Sequence, residues 1–255
     1  MVYLTLPPSR AVEKVLQHGF KSVELSYDNF LTNRVGEMAE LNEVVDKVSR
    51  YTLDSFSVHL PYDNLELSTF RPASSISRFS RWIKLLDRVN VDFYVTHLPN
   101  LPPSRESIDV AVKYLRNIAD LVSSSSLVLV ENTASAGRLG ATPEDLLAVV
   151  RYADAPNLGV CVDVGHAIIA RVSLTSFSST LRELVKSVHL HDNDGFSDKH
   201  LFPGSGVLDL GRLVEFLAVA RPNLVVAEVA CKGLSECDNV LNSIADIGNV
   251  LRRAI

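Results

Sequence analysis

The stretch Ser187–Gly206, SVHLHDNDGFSDKHLFPGSG, sets His189, His191 and His200 beside Asp192, Asp194 and Asp198, with Asp209 just beyond. Imidazoles and carboxylates at this density suit a divalent cation of hard or borderline character. A solvated polar loop has the same composition, so the rest of the chain must decide between the two. The same residue types recur singly at Glu24, His59, His97, Glu131, Asp163 and Glu228, inside the runs SVELSY, SFSVHL, VDFYVTH, LVLVE, LGVCVD and LVVAEV. Two spacings are closer. Asp163-Val-Gly-His166 puts a carboxylate at a strand end and an imidazole at the start of the following loop. Asp198-Lys-His200 reads as an extended segment whose alternate side chains point the same way.

Short apolar runs and helical periodicity alternate along the whole chain. Strands are expected at Val2–Leu6, Ser22–Tyr27, Ser55–Leu60, Val91–His97, Leu127–Glu131, Leu158–Asp163, Val188–His191 and Leu224–Val229. Helices are expected at Ser9–His18, Val35–Ser49, Ser75–Asn90, Ser104–Val122, after the Thr142-Pro143-Glu144-Asp145 cap, and at Ser173–Thr180, Gly211–Ala220 and Asn239–Leu251. Strict strand–helix alternation implies parallel strands joined by right-handed crossovers. Eight such units in 255 residues predict an α/β fold of the (β/α)8 TIM-barrel type, one domain spanning residues 1–255. No G-x-G-x-x-G follows the first strand, which argues against a dinucleotide-binding sheet.

In such a barrel the carboxyl ends of the strands form the active-site face. Seven consecutive strands then deliver Glu24, His59, His97, Glu131, Asp163, His189 and Glu228 to one mouth. Any one of them alone reads better as a hydrogen-bonded core residue. Together they do not, because several buried carboxylates need positive charge and no matching set of strand-end Lys or Arg exists. A cluster of divalent metal ions meets that need. Zinc suits the His-rich donor set, with Mn or Fe as alternatives.

The remaining composition sets bounds. A formal charge of −5 offers no general attraction to nucleic acid or an anionic membrane. No segment approaches membrane-spanning length, and no signal-peptide pattern opens the chain. Three cysteines without a C-x-x-C pair fit a reducing compartment better than a disulfide framework, so a cytoplasmic location is expected.

The set His59, His97, Glu131, Asp163, His166, His189, Asp198, His200 and Glu228 resembles the nine-ligand trinuclear zinc site of endonuclease IV. That enzyme belongs to the xylose-isomerase-like TIM-barrel superfamily, also called apurinic endonuclease family 2. The similarity runs through HLPY (59–62), ENTASAGRLGATPEDL (131–146), CVDVGHAIIA (161–170), HLHD (189–192) and DKHLFPGSG (198–206). Tyr62 matches an aromatic that probes the DNA stack in those nucleases. The amino-terminal third departs: GFKSVELS (19–26), with Glu24 at the strand end, looks like the sugar isomerase and epimerase branch. The interval between His166 and His189 is also short for a DNA-penetrating loop.

The resemblance implies two mechanisms. As a phosphoester hydrolase of the endonuclease IV type, the chain uses Glu131 between two metals, with His97, Asp163, His189 and Glu228 completing them and His59 nearby. A third metal sits on His166, Asp198 and His200, and water activated between the metals attacks the phosphorus. The partner is then abasic DNA, with Tyr62 at the lesion; Arg34, Arg71, Arg138 and Arg171 line a phosphate groove or are merely solvated. As a sugar or sugar-phosphate isomerase or epimerase, it needs only Glu131, Asp163, His189 and Glu228 as ligands. Glu131 and Glu228 then double as the acid–base catalytic pair, His166 orients a hydroxyl, and Glu24 and Lys199 are candidate substrate contacts. A catalytically silent barrel is the third reading, disfavoured by the intact ligand set. The ligand count favours the hydrolase.

Overall fold

The computed structural model describes residues 2–66 and 70–254. After helix α1 (Pro8–Gln17) comes strand β1 (Ser22–Leu25), then α2 (Asp28–Asn33) and α3 (Glu37–Val48). There follow β2 (Ser55–His59), α4 (Pro72–Leu86), β3 (Phe93–His97), α5 (Arg105–Ala119), β4 (Leu127–Glu131) and α6 (Pro143–Ala153). The second half runs β5 (Leu158–Asp163), α7 (Val164–Ile169), α8 (Leu174–Leu181), β6 (Val185–Leu190), α9 (Leu210–Ala220), β7 (Leu224–Ala227) and α10 (Leu234–Ala254). The strands pair in sequence order, all parallel, into a nearly closed barrel ringed by helices. This is the TIM-barrel architecture, with seven strands in place of eight among the described residues.

Side-chain alternation explains both layers of the core. Tyr94, Val128, Val130, Val160, Val162 and Val188 point outward and pack in the large cluster shared with the helices. The intervening residues Phe93, Val95, Leu129 and Cys161 form a separate apolar cluster inside the barrel. Two residues further along the same inward faces stand His97, Glu131 and Asp163. The period of two that builds the interior therefore also raises the titratable side chains to its rim.

The expected first strand is the main correction. Residues Val2–Leu6 form turns, with Tyr3 at a φ of 52°. Their carbonyls are captured by side chains: Asn29 Nδ2 donates to Tyr3 O at 3.1 Å, and Asn33 Nδ2 to Leu4 O and Leu6 O at 3.0 and 2.8 Å. Groups after β7 take the other side, with Leu4 N–H donating to Cys231 O at 3.0 Å and Thr5 Oγ1 to Lys232 O at 2.8 Å. The segment thus fills the eighth sector as irregular chain, and no β1–β7 pairing exists among the described residues. A cavity of about 120 Å³, walled by Val2, Phe20, Val23, Leu224 and Ile244, marks that seam.

Cys231 and Cys237 are joined as a disulfide, contrary to the expectation from their sparse, odd number. Both sulfurs face the Tyr3 N–H, so the bridge lies against the segment filling the eighth sector. The third, Cys161, is free and buried. The expected Val35–Ser49 helix runs from Glu37 to Val48, and the short helices α2 and α7 are additional to the expected elements. No helix among the described residues is long and apolar enough to cross a membrane.

Candidate metal centre

Asp163 ends β5 and also caps α7, its Oδ1 accepting from the His166 N–H at 2.6 Å. The D-V-G-H spacing is therefore a helix start, which holds His166 over the strand end instead of in a loop. Gly165 lies between them for a steric reason: a Cβ there would fall 1.9 Å from Cε1 of His191. Of the chain's seven histidines, His59, His97, His166, His189, His191 and His200 gather at this face; His18 lies apart, beside Asp238.

Glu131 is at the centre. Its Oε2 is 3.0 Å from His59 Nε2 and 3.5 Å from His97 Nε2. Its Oε1 is 3.3 Å from His189 Nδ1 and 3.4 Å from His166 Nδ1. On the far side of His189 Nδ1, Glu228 Oε2 is at 3.5 Å and Asp163 Oδ2 at 4.0 Å. Glu228 is the first residue past β7, placed by its own N–H donating to Leu190 O at 3.1 Å. The nine candidate ligand residues line one mouth; Asp198 Oδ2 is 3.2 Å from both His166 Nε2 and His200 Nε2, while the compact donor triplets on this side are Asp163, His166 and His191, and His191, His200 and Glu228. The Asp198–His200 segment is not extended, however. His200 adopts a φ of 47°, so backbone twist, not strand alternation, turns the two side chains together.

A divalent-ion set fits these residues on three observations. First, His59, His166 and His200 each point Nδ1 at a backbone carbonyl (of Leu60, Asn132 and Glu228, at 3.1, 2.9 and 2.9 Å) and aim Nε2 at the carboxylates. This is how a ligating imidazole is fixed in tautomer and direction. Second, His189 is reversed, with Nε2 at 3.0 Å from Glu24 Oε1 and Nδ1 facing Glu131 and Glu228, and neither buried ring nitrogen makes a well-directed hydrogen bond despite the surrounding oxygens. Third, Glu131, Asp163 and Glu228 are all buried, and among the described residues their cationic partners are imidazoles, with the His166 backbone N–H also donating to Asp163. Donor atoms of His59, His97 and Glu131, and of Glu131, Asp163 and His189, lie close enough together for one ion each.

The electrostatics agree. Burial opposes charge on Glu131, yet His97 and His189 hold its carboxyl well below the ordinary range, and Asp163 is lowered in the same way by His166 and His191. Burial also disfavours charging His59, but the hydrogen bond and charge of Glu131 raise it to about 9. His166 and His189 are raised well above an ordinary imidazole against the same burial, by Asp163 in the first case and Cys161 and Glu228 in the second. His97 goes the other way, to about 4, because burial prevails there. The cluster thus attracts positive charge, as protons or as metal.

The other predicted residues are placed as follows. Glu24 does not reach the mouth; it lies buried beneath His189, with Ser57 Oγ donating to its Oε2 at 2.5 Å. Lys199 pairs with Asp194 at 2.8 Å on the surface, away from the cavity lining. Tyr62 lines the cavity, its hydroxyl donating to Asp28 Oδ1 at 2.6 Å. Arg34, Arg71, Arg138 and Arg171 are not among the lining residues.

Sequence reading undervalued His191 and Asp192. His191 Nε2 is 3.1 Å from both Asp163 oxygens and its ring stacks on His200 at 4.0 Å between centroids. The signal was present, since His189 and His191 are two apart on one strand face. Asp192 accepts backbone N–H groups of Gly204, Gly206 and Leu208 at 3.0, 2.8 and 2.9 Å, and so folds the loop that carries Asp198 and His200. Gly206 is required there, because a Cβ would lie 2.1 Å from Asn193 O.

The ring of metal-competent side chains stands at the carboxyl mouth of a parallel barrel, where such barrels carry their active sites. Residues 12–251 match the model of the xylose isomerase-like TIM barrel family, and the chain belongs to that family. A probable endonuclease 4 of Sulfurihydrogenibium sp. is 24% identical over 231 residues, covering 79% of this chain and 82% of that protein. Among solved structures, a D-tagatose 3-epimerase-like protein superposes with a TM-score of 0.78 at 21% identity, covering 98% of this chain and 97% of that one. The IOLI protein, crystallised with a bound zinc atom, superposes with a TM-score of 0.76 at 14% identity over 98% and 95% of the two chains. These two likenesses concern the fold.

Proposed function

We propose that the chain is a multinuclear, divalent-metal-dependent phosphoester hydrolase. The observation that carries this reading is the Asp198 arm: its Oδ2 stands 3.2 Å from Nε2 of both His166 and His200, beside a Glu131 cluster already complete without it. Proton transfer next to a carbonyl has no use for that extra group, whereas phosphoryl transfer has a leaving oxygen to stabilise.

His59, His97 and Glu131 would hold one ion, Glu131, Asp163, His189 and Glu228 a second, and His166, Asp198 and His200 a third, with zinc favoured by the donors. Bound ions of this kind supply Lewis-acid polarisation and a water of lowered pKa. Glu131, facing both of the first two groups, sets their spacing and keeps the base of the cavity anionic enough to retain them. Glu228 faces His189 and, through its carbonyl, fixes His200, so it ties the second group to the third. Tyr62 and Asp28 shape the wall that orients the substrate above. Relatives named probable endonuclease 4 make abasic DNA one substrate to test.

The second reading is epimerisation of a small sugar, with Glu131 and Glu228 as the acid–base pair. It is favoured by the epimerase-like fold neighbours and by a cavity whose described lining residues include no Lys or Arg. Zinc- or manganese-loaded protein should hydrolyse bis(p-nitrophenyl) phosphate without exchanging sugar C–H for deuterium from solvent. Deuterium incorporation into a ketose with no phosphoester cleavage would establish the epimerase instead.

A further inference from the structure

The cavity above the metal ligands has a volume of about 380 Å³, near the lower end for small-molecule sites. Its upper wall is made by Asp28, Tyr62, Glu66, Asn100, Thr133 and Ser135, and no Lys or Arg stands among the described lining residues. We propose, resting on the hydrolase reading, that the substrate is a small phosphoester whose organic part carries hydroxyl groups recognised by this wall, and not an internal phosphate of a nucleic-acid strand.

The charge distribution argues first. Positive charge in the cavity is confined to its base, where the ligand ring would hold cations, so one phosphoryl group is matched there. Neighbouring phosphates of a strand would meet Asp28 and Glu66. A strand binder neutralises such phosphates with Lys or Arg and gains counterion release from each contact. Here Lys199, the basic residue nearest the arm in sequence, is paired to Asp194.

Hydrogen-bonding capacity argues second. Both Glu66 oxygens accept from Asn100 Nδ2, at 3.0 and 2.9 Å, which turns the carboxamide so that its Oδ1 is left buried without a partner. The carboxylate that Asn100 steadies is itself exposed at the wall, where a substrate hydroxyl can donate to it. Carboxylate and amide oxygens accept from hydroxyls and repel phosphate oxygens.

Tyr62 argues third. Its hydroxyl is tied to Asp28, and its ring meets Tyr27, His59 and His97 edge-on with centroids 5.4, 5.3 and 5.4 Å away. A ring held on these sides is a fixed wall for the apolar face of a compact substrate, not a wedge free to enter a base stack. The reaction balances simply: water adds to phosphorus, the phosphorus–oxygen bond to the organic part breaks, and that alkoxide leaves with a proton as a free hydroxyl.

The test uses the full chain loaded with zinc. Four arms are run: bis(p-nitrophenyl) phosphate, a duplex carrying a tetrahydrofuran abasic analogue, a panel of three- to six-carbon sugar and polyol phosphates, and calorimetric binding of that panel. The proposal expects at least one panel member to bind and to be hydrolysed with kcat/KM about tenfold or more above the duplex. Glu66→Gln and Asn100→Leu, each checked for native circular dichroism, should raise KM for that member far more than they lower kcat. They should weaken its calorimetric binding in parallel. Cleavage of the duplex with salt-dependent binding, and no panel member bound or turned over, would overturn the proposal while leaving the hydrolase reading intact. No phosphoester cleavage by metal-loaded protein, bis(p-nitrophenyl) phosphate included, removes the hydrolase reading itself.

Discussion

Glu24 Oε1 lies 3.0 Å from Nε2 of His189, below the mouth of the barrel, and so decides which nitrogen of that imidazole faces Glu131 and Glu228. The other fixed imidazoles are turned by backbone carbonyls; this one is turned by a buried carboxylate that Ser57 holds in place. The pairing both orients His189 and raises its basicity. Glu24→Gln should therefore lower zinc affinity roughly 10- to 100-fold while the barrel stays folded. Competition with a chromophoric chelator measures this. An unchanged affinity would mean that Glu24 does not position His189.

The Asp198 arm predicts a loss of one ion and not of the whole cluster. His200→Ala should remove a single zinc per chain and most of the phosphoester hydrolysis, because His59, His97, Glu131, Asp163, His189 and Glu228 do not depend on it. Elemental analysis beside a hydrolysis assay reports both. Unchanged metal content and rate would show that His200 and Asp198 are not ligands.

The raised imidazole pKa values give zinc binding a pH dependence. In the metal-free protein His59 titrates at about 9, above its unfolded value, so its contribution to stability is present below about 6.5 and is lost as pH rises through 9. Zinc must displace that proton. Its affinity should thus climb with pH across this same window, as metal-free stability declines. Thermal melts of metal-free and zinc-loaded protein between pH 6 and 9.5 should diverge steadily; parallel curves would contradict the account.

Gly165 allows His191 to lie against α7. Gly165→Ala would set a Cβ 1.9 Å from Cε1 of His191, so either the imidazole leaves Asp163 or the helix shifts. A loss of about 1–3 kcal/mol is expected, with reduced metal content, measured by denaturant melts and elemental analysis.

Reduction of the Cys231–Cys237 bridge tests the seam. Closing a short loop contributes about 2 kcal/mol in the chain-entropy model, or roughly 5 °C of Tm in a chain this long. Melts with and without a reductant, compared with the Cys231→Ser/Cys237→Ser variant, give the figure directly.

The ring of candidate ligands was legible in sequence because strand periodicity and strand ends are local features. Once LVLVE, LGVCVD and VDFYVTH read as strands, Glu131, Asp163 and His97 had to share a face. The first strand was misread for a reason no local pattern carries. Val2–Leu6 is apolar enough to pair, but Asn29 and Asn33 take its carbonyls. Glu24 lies on its expected strand, but its contact with His189 joins strands far apart in sequence, so no local pattern carries its position beneath that imidazole. The same holds for Asp192, whose loop contacts span up to sixteen residues. The disulfide was equally hidden: a spacing of six matches no motif, and only the fold brings both sulfurs to Tyr3.

The most direct test of the central claim is metal stoichiometry by inductively coupled plasma mass spectrometry on protein saturated with zinc and then dialysed. Three zinc ions per chain, falling to two in His200→Ala, is the predicted result. One ion or none in the parent chain, with the fold intact, would contradict it.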